Sequence, residues 1–192
     1  MLIIHSGLAR ICRIHRQNAF KVQANHTDVD NLSGMLVKQE QMGILDLLAQ
    51  QEKSLQLLYE EYQRKFNENA QFWGNLVADE AQHSSWIHEF KTQIDAGNWY
   101  LKEGRFNKAS LKTSLEYVRG KIDEARNQNV SRLGAISTAI DIEQSLIERN
   151  FFEILGPDSP ELKTLLTKLA GATKVHLSKV RTEWRRLKSQ RL

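Results

Sequence analysis

From about Leu36 onward, apolar residues recur at three-four spacing along four long stretches, and no strand-like alternation competes with them. The first stretch runs from about Leu36 to Asn67, with Ile44, Leu47, Leu48, Leu55, Leu58, Tyr59, Tyr62 and Phe66 on one stripe. The second runs from about Ala70 to Ala96, with Phe72, Leu76, Val77, Ile87, Phe90 and Ile94, and Gly97 suits its C-terminal cap. The third covers about Ser131 to Leu155, with Leu133, Ile136, Ala139, Ile140, Leu146, Ile147 and Phe151. The fourth covers about Glu161 to Lys188, with Leu162, Leu165, Leu166, Leu169, Val180 and Trp184. Between the second and third lies a polar connector with a shorter helix, about Lys108 to Arg126. Pro157 and Pro160, the only prolines, mark a stop and a restart, because proline cannot continue a helix but suits its first turn. The expected fold is all-α: an antiparallel four-helix bundle whose long crossover contains the extra helix.

The 192 residues suffice for one domain with a substantial core, and 41% hydrophobic with 26% charged is ordinary for a globular protein. No apolar run approaches the ~20 residues that span a bilayer, so no membrane partner is expected. Cys12 is the only cysteine, which excludes an intramolecular disulfide and a thiolate zinc site. Residues 1–34 carry Arg10, Arg13, Arg16 and Lys21 with no acid before Asp28. This basic extension reads as an organelle-targeting segment, a disordered arm, or sequence upstream of a true start at Met35. The domain is expected over 35–192, in the cytoplasm unless that segment directs it elsewhere. The cations after Lys174 complement a helix C-terminus, so nucleic acid is not the expected partner. There is no phosphate-binding glycine loop and no Ser-His-Asp grouping.

Each long stripe is broken near its middle by a group that can ligate a metal. Glu52 interrupts the first, Glu80 and His83 the second, Glu143 the third and His176 the fourth. Glu and His three apart point the same way on a helix, so Glu80 and His83 can converge on one point. An inward Glu or His by itself is usually explained by a helix edge or a satisfied core position. Three carboxylates in one buried layer repel one another, however. Either their pKa values rise until they are neutral, or a cation neutralises them.

Here the chain resembles the ferritin-like superfamily, and within it the rubrerythrin-type di-iron carboxylate bundles. Glu52-Lys-Ser-Leu-Gln-Leu-Leu-Tyr59 followed by Leu76-Val-Ala-Asp-Glu80-Ala-Gln-His83 looks like the first half of such a domain. Ala139-Ile-Asp-Ile-Glu143 and Leu169-Ala-Gly-Ala-Thr173-Lys-Val-His176 look like the second half. The likeness spans roughly residues 40–185. It implies one or two iron ions, with manganese or zinc as substitutes, held by Glu52, Glu80, His83, Glu143 and His176. The departure is Thr173, which stands where the pattern has Glu. The first half-site (Glu52, Glu80, His83) is complete, while the second (Glu143, His176) lacks a bridging carboxylate and is expected to hold metal weakly or not at all.

The resemblance implies oxidation of Fe(II) by oxygen or peroxide, or reduction of peroxide. The rubredoxin module of rubrerythrin needs four cysteines, so electrons are expected from an external donor or from Fe(II) itself. Tyr59 is either a hydrogen-bond donor or redox phenol near the metal, or an ordinary core tyrosine. A homodimer is the expected assembly. The alternative is a degenerate ferritin-like bundle with a structural or interaction role and no catalysis, for which Thr173 is the main argument.

Overall fold

The computed structural model describes residues 26–98, 108–148 and 160–190, and these are helical almost throughout, with no strand among them. In chain order the helices are α1 (His26–Lys65), α2 (Ala70–Asp95), α3 (Lys108–Asn127), α4 (Arg132–Glu148) and α5 (Pro160–Ser189), with a single 3₁₀ turn at Asn67–Asn69. No described helix is long and apolar enough to cross a membrane. The chain divides into two units, residues 1–36 and 37–192. Helix α1 starts at His26, ten residues before the start expected at about Leu36. Val29, Leu32 and Leu36 stand at helical spacing in these leading turns, ahead of the stripe that begins at Ile44. The end expected for the third long helix, and Trp99, lie outside the described residues.

The buried stripes keep an unbroken three-four phase. On α2 it reads Trp73, Leu76, Glu80, His83, Ile87, Phe90, Ile94; on α5 it reads Leu166, Leu169, Thr173, His176, Val180, Glu183, Leu187. The stripe of α1 includes Leu45, Leu48, Glu52, Leu55, Tyr59 and Tyr62. The sequence reading placed Leu47, Phe66 and Ile140 on the core face, but they are half-buried, while Leu45 and Ile142 are fully inside. Adjacent apolar pairs compete for the same face, and packing of the neighbouring helix chooses between them. Trp73 stacks near Tyr62 (4.9 Å between centroids) and Tyr59 (5.6 Å), locking α1 to α2 at one end of the core.

Contacts between helices fall in a regular order. Along α1 and α2, Asp46 meets Lys91, Glu52 meets His83 and Tyr62 meets Trp73. Along α2 and α5, Asn69 meets Glu183, Asp79 meets Lys179 and Trp86 meets Lys168. Tyr59 reaches Glu143 on α4, and Gln144 of α4 accepts from Arg181 of α5. Helix α3 lies against the outer side of α1: Arg119 donates to Gln50, Arg126 to Glu61, and Lys65 Nζ donates to the Ala125 carbonyl at 2.8 Å in the last turn of α3.

Helix α2 closes at Gly97, whose φ of 76° is left-handed. Gly97 N–H donates to Ile94 O and Asn98 N–H to Gln93 O, both at 3.0 Å, a Schellman pattern that satisfies terminal carbonyls. Gly97→Ala is expected to lower stability by about 1–2 kcal/mol, because a Cβ in this conformation crowds the carbonyl. Gly120→Ala, on the exposed side of α3 with open space around it, should instead hold or raise the melting temperature. Thermal melts of the two variants check the contrast.

Candidate metal centre

Four helices each lend the middle of their buried stripe to one cluster. Glu52, Glu80, His83, Glu143 and His176 are all at most 4% exposed. Glu80 is the centre of the arrangement. Its Oε2 lies 3.0 Å from His83 Nδ1, and its Oε1 lies 3.0 Å from His176 Nδ1. Glu52 Oε2 stands 3.2 Å from His83 Nδ1 on one side, and Glu143 Oε1 stands 3.4 Å from His176 Nδ1 on the other. The two imidazole rings stack with centroids 5.1 Å apart. One ligand atom each from Glu80, His83 and His176 falls within 4.8 Å of the others. The tightest triad therefore joins His176 to Glu80 and His83, whereas the sequence reading grouped His176 with Glu143 in a weaker half-site.

Tyr59 is wholly buried and donates its hydroxyl to Glu143 Oε1 at 2.7 Å, so its hydrogen bond, and not packing alone, ties it to the cluster. Thr173 is buried, but its hydroxyl donates to its own helix at Leu169 O (3.1 Å) and does not serve the carboxylates. His88 is exposed, away from the site.

Asp79 was not singled out from the sequence. Its Oδ2 lies 3.2 Å from His176 Nε2 and accepts from Lys179 Nζ at 2.6 Å. A carboxylate on Nε2 fixes the ring and turns Nδ1 toward the cluster, as outer carboxylates do for ligating histidines. The available signal was an acid directly before an inward acid, but only the position of α5 shows which imidazole it meets.

Without a cation, protons carry the charge balance. Burial raises the Glu52 carboxyl well above the usual carboxylate range, against the hydrogen bond to His83. Burial likewise raises Glu143, against its bonds to His176 and Tyr59. Burial acts in the same direction on Glu80, but bonds to His176 and His83 outweigh it and hold this carboxyl low. Burial works against the charged form of both imidazoles, yet Glu52 and Glu80 lift His83 to about 9, and Glu143 and Glu80 lift His176 to about 11. Burial, and then the Glu143 charge, raises the Tyr59 phenol well above its ordinary value.

Comparison with protein families, curated proteins and solved structures finds no match to this chain. The cluster must therefore be read from its own chemistry. Five ionisable groups from four separate segments, all sequestered from water, are costly to assemble unless each is paired or bound to a cation. The donor set, carboxylate oxygens with imidazole nitrogens, suits a divalent transition metal. Glu80 is buried with one imidazole nitrogen on each carboxylate oxygen, His176 Nδ1 on Oε1 and His83 Nδ1 on Oε2, both at 3.0 Å. A carboxylate set between two such nitrogens fits a cation that displaces their protons. This buried Glu-His-His group could hold a metal ion.

Proposed function

We propose that this protein is a ferritin-like, rubrerythrin-type bundle that binds iron and uses it to oxidise Fe(II) or reduce peroxide. The observation that carries the reading is the convergence of Glu52, Glu80, His83, Glu143 and His176 on one buried spot from four helices. The contact order supports the bundle topology. Partners along α1 and α2, and along α2 and α5, run in opposite directions, whereas those along α1 and α3 run together, as a crossover helix requires.

Glu80 would ligate between the two imidazoles, with Glu52 and His83 on one side and Glu143 and His176 on the other. Bound iron would supply the electrons that oxygen or peroxide accepts. The chain's own residues bind, orient and exclude water. Asp79 and Lys179 hold His176 by its outer nitrogen, and Tyr59 holds Glu143. Leu48, Leu55, Leu76 and Ile142, all buried, lie within one turn of Glu52, Glu80 or Glu143 on the same helices. Glu52, whose carboxyl burial raises to about 8, would release its proton as a cation enters, and burial pulls Glu143 in the same direction.

The test is protein purified anaerobically with Fe(II), elemental analysis, and an anomalous-scattering map of the bundle centre. Iron at Glu80 supports the reading, and its absence ends it. Thr173, with its hydroxyl committed to Leu169 O, favours a second reading in which the bundle has lost catalysis and serves a structural or interaction role. Iron-loaded protein that neither oxidises Fe(II) nor consumes peroxide would select that second reading.

A further inference from the structure

Three aromatic rings form a row from the cluster to the surface. His176 stacks on His83 at 5.1 Å, and His83 faces the Trp86 indole at 5.1 Å, with 37° between the latter planes. Trp86 is partly exposed, so the row ends at solvent. A second row of rings runs from Tyr59 through buried Trp73 to partly exposed Phe72, but it starts from a phenol that bonds Glu143 and not from an imidazole of the cluster. Over the indole sits Lys168 of α5, its Nζ 3.6 Å from the ring centroid. A cation on the face stabilises the neutral ring and disfavours a positive hole on it. Such a ring passes electrons without storing an oxidised intermediate. Lys168 is exposed, and α5 as a whole carries eight Lys and Arg against Glu161 and Glu183, with Lys179 paired to Asp79 and Arg186 to Glu183.

We infer that Trp86 is the place where electrons enter the buried centre, delivered by a small one-electron carrier protein with an acidic face that docks over Lys168. This inference rests on the proposed redox reading and names the partner it requires. In each transfer the carrier is oxidised by one electron and one iron goes from Fe(III) to Fe(II). Two transfers, with two protons from solvent, match the reduction of one peroxide to two waters. Charge complementarity selects the acidic partner, because oppositely charged faces steer encounter. Trp86 touches no substrate, so it acts as a relay through His83.

The test follows reduction of the iron-loaded ferric protein by dithionite, which is anionic, and by reduced methyl viologen, which is cationic. Trp86→Phe is expected to slow both by tenfold or more at unchanged iron content. Lys168→Glu, on the surface, is expected to slow dithionite several-fold and speed methyl viologen. A second readout needs no turnover: Co(II) titrated into metal-free protein should quench part of the tryptophan emission, and that part should vanish in Trp86→Phe. Should Trp86→Phe fail to hold iron, Lys168→Glu carries the test. Equal rates in wild type and Lys168→Glu with both reductants, or in wild type and Trp86→Phe at equal iron, would overturn the relay while leaving the iron site standing. Wild-type protein that binds no iron removes both.

Discussion

Glu80→Ala protein purified anaerobically with Fe(II) should retain at most a tenth of the wild-type iron, the largest loss of any single substitution in the cluster. Glu80 is the one carboxylate within 3.0 Å of both imidazoles, so its removal takes a ligand from both sides at once. Loss of an outer partner alone typically costs 10–100-fold in metal affinity, and loss of a direct ligand should cost at least that. His176→Ala should lose less, because Glu52, Glu80 and His83 remain together. The metal-free Glu80→Ala protein should also melt lower. Two buried imidazoles then lose their shared counter-charge, and breaking a buried pair by deleting one partner costs about 3–5 kcal/mol. Elemental analysis beside thermal melts separates the two effects. Equal iron in Glu80→Ala and His176→Ala would refute the central place given to Glu80.

Metal-free wild-type protein should lose stability steadily as pH rises from about 6 to about 9. Four groups hold protons more tightly in the folded chain than in the unfolded one: Glu52, Glu143, His83 and His176. A group with a raised folded pKa contributes stability below its unfolded value and loses it as pH climbs through the folded one. For the two carboxylates the loss begins above 4.5; for His83 it begins above 6.5 and is complete only past about 9. Glu80 has the opposite sign, since its pKa is lowered, but its contribution is fully present above 4.5 and adds no slope in this window. His83 alone accounts for a few kcal/mol by the usual conversion of about 1.4 kcal/mol per pKa unit. A fall in melting temperature of roughly 5–10 °C is expected. Zinc or Fe(II) competes with the same protons, so its protection should grow with pH. A melting temperature that climbs from about pH 6 to 9 without metal would contradict this charge assignment.

Much of the helical architecture is written in the phase of the stripes. Gly97 and Pro160 mark real ends, because one residue type tolerates a left-handed backbone and the other cannot continue a helix. Glu52, Glu80, His83, Glu143 and His176 announce their burial because each keeps the three-four phase of its apolar neighbours. The start of α1 at His26 is less legible, since only Val29, Leu32 and Leu36 mark its phase before a polar stretch, ahead of the dense stripe from Ile44. Asp79 was hidden: it is partly exposed on its own helix, and its meaning depends on Lys179 and His176 of α5.

From about Leu36 onward the sequence by itself determined where the described helices run and, to within an adjacent residue, which faces are buried, because helical periodicity is a local property of consecutive residues. Only the tertiary structure decided the partners. It set Glu80 between His83 and His176, turned Thr173 back to Leu169, brought Tyr59 to Glu143 and stacked Trp86 on His83. Such contacts depend on how far one helix slides and rotates against another. That choice belongs to the packing of whole faces, and no single stretch of sequence contains it.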